Sequence, residues 1–349
     1  MFRARTVFVI GAGASCEVGL PVGDSLLKAI VDLTHFEFDI GRLMKGDRNI
    51  FDALKIFLDE GGDVSRLKAH LMAGRQLGKS AKQALSIDNV IDALENSEIE
   101  ILGKLGIARA ILKAEAESHY FKINFDTNAI DVSKFKNTWY SSLTQLLTEQ
   151  VKRSEIDKLF DNVEIVNFNY DRCLEYYLQY SLSDYYGVGL DIVRNSMSKL
   201  TVHRPYGLVG RLPWRPGDGP GVEFGQGAPQ QLAQIVPEIR TFTEQVEEGD
   251  NLNAIRSAIA KADRIVFLGF AFHRQNVALI STEISDHAQI LATAMGISSS
   301  DRDVIEDELA EAFGFAWDRL ASSRVSLAVA TCHELFRDYW RTLTAAAPE

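Results

Sequence analysis

The strongest constraint on this chain lies near its start. Val7-Phe8-Val9-Ile10 is followed by Gly11-Ala12-Gly13-Ala14-Ser15 and then by Gly19-Leu20-Pro21. Four consecutive apolar residues, three of them β-branched, predict a strand buried on both faces, as in a parallel sheet. The Gly-x-Gly after it lets the chain turn sharply and lets backbone approach a ligand, because neither glycine carries a Cβ. Ser15 is placed to cap the next helix, and the N–H groups of a helix start attract phosphate. The pattern predicts a nucleotide site. It is not the dehydrogenase fingerprint, since Cys16 stands at the third glycine position and the acid at the right distance, Asp32, lies in the helical pattern KAIVDL. It is not a Walker loop either, because no Gly-Lys-Ser/Thr follows.

The 349 residues allow one large domain or two ordinary ones, and 46% apolar with 24% charged residues is usual for a globular protein. The net charge of −11 and the lack of a basic stripe argue against direct nucleic-acid binding. The three cysteines, Cys16, Cys173 and Cys332, are widely separated and form no zinc or redox pair, so no metal is expected. No stretch approaches the roughly 20 apolar residues of a membrane span. The apolar run at the start is too short for a secretion signal and continues into the glycine turn, which points to a cytoplasmic protein with no membrane association.

Strand and helix signals alternate, so the expected fold class is α/β: a Rossmann-like, doubly wound, mostly parallel sheet with a large helical insertion. Strands are predicted at Val7–Ile10, Val163–Phe168, Leu200–His203, Gln234–Ile239, Arg264–Phe270 and Arg324–Ala330. Gly23–Thr34 reads as a helix, and residues from about 273 to 321 read as a longer helical stretch. Between Asp39 and Phe160 no strand is evident, and several segments have helical periodicity. Residues 1–34 and 156–349 are therefore assigned to the sheet domain and 35–155 to the insertion. Residues 213–229, dense in Gly and Pro, read as an ordered loop or a flap.

Four segments then fall at the C-terminal ends of predicted strands, where open α/β sheets bind ligands: 11–21, 167–171, 203–210 and 269–276. Their order and spacing resemble the sirtuins, in particular the zinc-free sirtuin-like NADase domains of bacterial anti-phage defence. Gly11-Ala12-Gly13-Ala14-Ser15 with Gly19-Leu20-Pro21 is similar to the sirtuin Gly-Ala-Gly-x-Ser and Gly-Ile-Pro. Asn167-Phe168-Asn169-Tyr170-Asp171 is similar to Thr-Gln-Asn-Ile-Asp. Tyr206-Gly207 stands at the family's His-Gly, with His203 three residues earlier, and Gly269-Phe270-Ala271-Phe272 is similar to Gly-Thr-Ser-Leu. The four-cysteine zinc ribbon of the protein deacylases is missing.

The resemblance implies NAD+ as substrate, no zinc, and cleavage to nicotinamide and ADP-ribose. A sensor or scaffold that binds NAD+ or ADP-ribose without turnover is the alternative, and a zinc-free deacylase is a third. It assigns Gly11, Ala12, Gly13, Ala14, Ser15, Pro21, Asn167, Gly269, Phe270 and Asn276 to NAD+ binding. Breaking the C1′–nitrogen bond builds oxocarbenium character. Asn169, whose amide both donates and accepts, would fix a ribose hydroxyl and a water. Asp171 would stabilise the sugar cation or orient Asn169. Either the loop HRPY brings His203 to the ribose as base, or Tyr206 takes that position; imidazole chemistry favours His203. As plain structure, Asn169 and Asp171 form an Asx turn with Asp171 capping the next helix. Ser86-Ile87-Asp88-Asn89 is a helix start that either faces the pocket or is a simple cap. The resemblance further implies abortive-infection defence, a homo-oligomer, and a partner such as a HerA-type ATPase or a short Argonaute.

Overall fold

A computed structural model describes residues 2–58, 64–241, 244, 249–314 and 324–347. Six strands, β1 (Thr6–Ile10), β2 (Val163–Asn167), β3 (Thr201–His203), β4 (Arg264–Leu268), β5 (Gln289–Thr293) and β6 (Val325–Ala328), form one sheet. All neighbours are parallel, in the order β6-β5-β4-β1-β2-β3. Read from the other edge this is 3-2-1-4-5-6, the doubly wound order whose direction of winding reverses between β1 and β4.

The helices in chain order begin with α1 (Ala12–Cys16), α2 (Gly23–Thr34), α3 (Arg48–Phe57), α4 (Val64–Ser80), α5 (Ile87–Leu94), α6 (Ser97–Glu117) and α7 (Trp139–Thr148). After β2 come α8 (Cys173–Tyr186), α9 (Leu190–Met197), α10 (Pro229–Ile235), α11 (Asp250–Ala260), α12 (Arg274–Leu279), α13 (Ser299–Ala312) and α14 (Cys332–Asp338). Successive strand residues face opposite sides of the sheet. Phe8, Ile10, Ile165, Val266 and Leu268 pack with Leu143 of α7, Leu178 of α8 and Phe336 of α14. Val7, Val9, Val166, Ile265 and Phe267 pack with Ile259 of α11, Val277 of α12 and Leu309 of α13. Both faces are thus covered. Each such side chain, fully buried, stabilises the fold by roughly 1.5–3 kcal/mol.

A third apolar cluster joins α2 to α3, α4, α5 and α6, and extends to Val209, Val222 and α10. The region between β1 and β2 is mostly helical, as expected, with two small hairpins, Glu37–Asp39 with Arg42–Lys45 and Ile123–Asn124 with Ala129–Ile130. The helical run from Ile87 is divided into α5 and α6 at Glu95, which adopts a left-handed conformation (φ 43°). Residues 213–228 form an ordered loop, with Phe224 stacked on Tyr176 at 3.8 Å.

Two strand assignments are corrected. Gln234–Ile239 is not a strand: Leu232 and Ile235 belong to α10, which Pro229 starts, and Val236–Glu238 is a 3-10 turn. Proline suits the first turn of a helix, where its missing N–H costs nothing. Conversely, β5 lies inside the stretch read as helix. Its sequence, QILAT, runs on into Ala294 and Met295, residues that also favour helices.

The turns after β1 and β4 touch. A Cβ on Gly11 would lie 2.6 Å from the Gly269 carbonyl oxygen, and one on Gly13 would lie 2.9 Å from Gly269 Cα. Gly269 itself has φ 56°, and a Cβ there would collide with Ala14 N and the Gly13 backbone. Gly269→Ala is therefore expected to destabilise the protein by more than about 2 kcal/mol, combining left-handed strain with overlap against backbone that has no room to move. Gly187→Ala, at a left-handed helix end (φ 60°) with open space around it, should cost only about 1 kcal/mol. Denaturant unfolding of the two variants checks the difference.

Candidate functional site

A cavity of about 830 Å³ opens at the C-terminal ends of the strands, over the β1–β4 switch point. Its wall includes Gly11, Ala12, Gly13, Ser15 and Pro21 after β1, Asn169 and Asp171 after β2, Tyr206 after β3, Gly269 and Phe270 after β4, and Asn276 on α12. Thr293, Met295 and Gly296 after β5 and Thr331 and Cys332 at the start of α14 complete one side. Leu26 and Leu27 of α2, Ser86 to Asn89 around the start of α5, and Ile111 of α6 complete the other. Its size suits a cofactor-sized ligand.

The two most specific sequence segments meet at Ser15. The Asn169 amide nitrogen donates to the Gly11 carbonyl and to Ser15 Oγ, both at 2.9 Å. Ser15 Oγ in turn donates to Asp171 Oδ2 at 2.6 Å. Asp171 Oδ1 accepts from the Cys173 N–H at 3.0 Å, at the start of α8. Because the Gly11 carbonyl can only accept, the Asn169 nitrogen is fixed on that side. Asn169 lines the cavity wall, and among the described residues its Oδ1 accepts no hydrogen bond. Burial raises the Asp171 carboxyl; the Ser15 and Cys173 donors and the nearby Arg204 cation oppose that rise.

Ser15 does not cap the following helix. It sits inside the short α1, facing Asp171, and α2 is capped by Ser25 bonding the Val22 backbone. The glycine turn also offers fewer donors than its sequence promises. The Gly11, Gly13 and Ala14 N–H groups are engaged by the carbonyls of Leu268, Gly269 and Gly11. The missing Cβ atoms make room for the neighbouring turn.

The expected residues outside the cavity wall are Ala14, Asn167 and His203. Ala14 is buried, its carbonyl accepting from Trp139 Nε1 at 2.9 Å. Asn167 Oδ1 accepts the Asn169 N–H at 2.9 Å, an Asx turn that shapes the segment. His203 ends β3 and its Nε2 pairs with Glu164 Oε2 at 3.2 Å. The preference for His203 over Tyr206 is thus not matched by placement. Gly207 N bonds the Arg204 carbonyl across a turn with Pro205 at its corner, and that turn carries Tyr206 into the cavity. Tyr206 OH donates to Asn276 Oδ1 at 2.5 Å. Burial, reinforced by the Asp88 charge, holds the phenol well above its ordinary pKa, so it acts as a donor at neutral pH.

Two groups escaped the sequence reading. Arg204 donates to the carbonyls of Asn169 (2.9 Å) and Asp171 (3.0 Å) and pairs with buried Glu175 at 2.7 Å, clamping the segment that carries the amide. Glu17 accepts the N–H groups of Trp139 and His333, both at 2.9 Å, joining α1 to α7 and α14. Of the two readings of Ser86–Asn89, the pocket-facing one matches the structure, with Asp88 on the cavity wall at the start of α5. No local pattern flags an arginine or a glutamate whose partners lie far along the chain.

The chain matches no protein-family model and no curated protein. Among the described residues no cluster of His, Cys, Asp or Glu could hold a metal ion, and no helix is long and apolar enough to cross a membrane.

Ser15→Ala removes the hydroxyl that serves Asn169 and Asp171 at once and leaves a buried donor and a buried acceptor unmatched. The expected cost is about 1–3 kcal/mol in denaturant unfolding. Cys16→Ser, at the exposed neighbouring position, should be near neutral.

Proposed function

We propose that this chain is an NAD+ glycohydrolase that cleaves NAD+ to nicotinamide and ADP-ribose, with the defence role that the sirtuin resemblance implies. The observation that carries the reading is the Ser15 junction. It brings the glycine turn and the Asn169–Asp171 segment to one cavity wall and leaves Asn169 Oδ1 as an open acceptor.

The reaction needs the N-glycosidic bond held beside negative charge and a water delivered to C1′. Asp171 and Asp88 supply acidic groups along the wall. Asn169 Oδ1 can accept from a ribose hydroxyl or from the water. The apolar lining from Phe168, Phe270, Leu27 and Ile87 limits bulk water and strengthens electrostatic interactions in the site. Among the described lining residues there is no arginine or lysine. That composition disfavours a ligand with a terminal polyphosphate and suits one that carries its own cation.

One observation favours a second reading. Tyr206 stands where the family has its histidine, and its phenol is held protonated on Asn276. A module that binds NAD+ or ADP-ribose without turnover would have that feature.

Purified protein incubated with NAD+ is expected to release nicotinamide and ADP-ribose, resolved by chromatography. Asn169→Ala should lower the rate at least about 100-fold while the variant keeps its circular dichroism spectrum. An unaltered rate in that variant would remove the mechanism. Saturable NAD+ or ADP-ribose binding in calorimetry without nicotinamide release would select the second reading.

A further inference from the structure

The α5 side of the cavity presents a carboxylate that the resemblance does not assign. Asp88 follows the cap residue Ser86, whose Oγ accepts the Asn89 N–H at 3.2 Å and donates to Asn89 Oδ1 at 2.9 Å. The cap is thus complete without Asp88. Asp88 lines the cavity; its carboxylate is met by its own backbone N–H, but its Oδ1 is out of contact with solvent and makes no hydrogen bond among the described residues. A buried carboxylate oxygen without a partner is costly, and such groups recur where a site uses them.

The surroundings narrow what it can do. Tyr170 and Tyr206, in the segments after β2 and β3, line the same cavity with rings 6.4 Å apart and lie within reach of the Asp88 charge, their hydroxyls directed to the Arg240 carbonyl and to Asn276. Both phenols are held protonated by burial and by the Asp88 charge, so neither serves as a base. Glu244, which also acts on Tyr170, is engaged by Lys104 at 2.7 Å. No cation offsets the burial of Asp88, whose carboxyl is pushed up to about 6, in the range where a general base operates near neutral pH. The other carboxylates on the wall are taken: both Glu17 oxygens accept backbone N–H groups, and Asp171 is bonded to Ser15 and Cys173.

We infer that Asp88 is the general base of this cavity, filling from the helical region the role that the family gives to a histidine. The inference rests on NAD+ being the substrate. In the step, the C1′–nitrogen bond breaks with its electron pair going to nicotinamide, which leaves neutral. The water oxygen bonds to C1′, one water proton passes to the Asp88 carboxylate, and that proton is then released to solvent.

The test compares the full-length wild type with Asp88→Asn, Asp88→Glu and Asn169→Ala. Nicotinamide release is followed from pH 5 to 8.5, ADP-ribose binding by calorimetry, and melting temperature at several pH values. The wild-type rate should climb about tenfold per pH unit below 6 and level off above it. Asp88→Asn should lose at least about 100-fold in kcat and lose that pH limb, bind ADP-ribose within about threefold of wild type, and be partly rescued by Asp88→Glu. The raised carboxyl means that folding disfavours the Asp88 charge. The wild type therefore loses stability as pH rises from about 4 to 6, and Asp88→Asn should melt higher than wild type above pH 6, with the gain fading toward pH 4.

Full turnover in Asp88→Asn with loss in Asn169→Ala overturns the role of Asp88 and leaves the NAD+ reading standing. An unchanged melting difference across pH overturns the ionising buried carboxylate. Binding without turnover in the wild type overturns Asp88 as a base while keeping the ligand, and neither binding nor turnover overturns the substrate as well.

Discussion

The contact between two glycine turns sets the geometry of everything above the sheet. β1 and β4 are parallel neighbours in register, with Ile10 beside Leu268, and both chains leave the sheet at the same height. At this switch point the two exits compete for one space. Side chains at Gly11, Gly13 or Gly269 would collide with opposing backbone, and the Gly13 N–H bonds the Gly269 carbonyl at 2.9 Å. Once the turns are locked, α1 has one orientation, with Ser15 turned inward beneath the cavity. Ser15 then selects its partners by reach: an amide donor on one side and a carboxylate acceptor on the other.

The helical region is fastened to the same place by a buried ion pair. Arg172, next to Asp171, pairs with Glu115 of α6 through Nη2 at 2.5 Å and Nε at 3.2 Å. Its remaining donors go to the carbonyls of Gly210, Val222 and Glu223, and Glu115 also accepts the N–H groups of Arg172 and Gly225. A buried pair is tolerable when its other hydrogen-bonding positions are met, and here they are. The arrangement couples three segments distant in sequence: α6, the start of α8 and the 210–225 loop. α5 packs on α6, so the wall that carries Asp88 is referenced to the segment that carries Asn169.

What could be read from the sequence was the part fixed by short-range patterning. β1 is a run of apolar residues before a glycine turn, and only a buried parallel strand accommodates it. The glycines were legible as necessary, but the reason lay elsewhere: the missing Cβ atoms face another turn of the same protein. β5 was illegible because the residues of QILAT, and Ala294 and Met295 after it, suit a helix as well as a strand. His203 was favoured for its imidazole, yet strand pairing with Val166 keeps it on β3, and the Pro205 turn presents Tyr206 instead. The segment of Asp88 was legible as a helix start that either faces the pocket or is a simple cap. Only tertiary structure reveals that Asp88 Oδ1 has no partner among the described residues and that two cavity-lining phenols feel its charge.

The charge pattern of the cavity ties these parts together. Glu17, Asp88 and Asp171 lie on a largely apolar wall without a described arginine or lysine, and the protein as a whole carries −11. In such a setting an anionic ligand gains nothing from long-range attraction. On the NAD+ reading proposed above, a dinucleotide with a cationic ring differs from a nucleoside triphosphate in that its positive centre would sit against the acids. On that same reading the acids would become more favourable as the glycosidic bond breaks, because positive charge then moves from the departing ring onto the sugar. A buried carboxylate oxygen such as Asp88 Oδ1, costly without a partner, would then be offset most fully at the point of bond cleavage, which is the condition for a group to raise a rate rather than merely tighten binding.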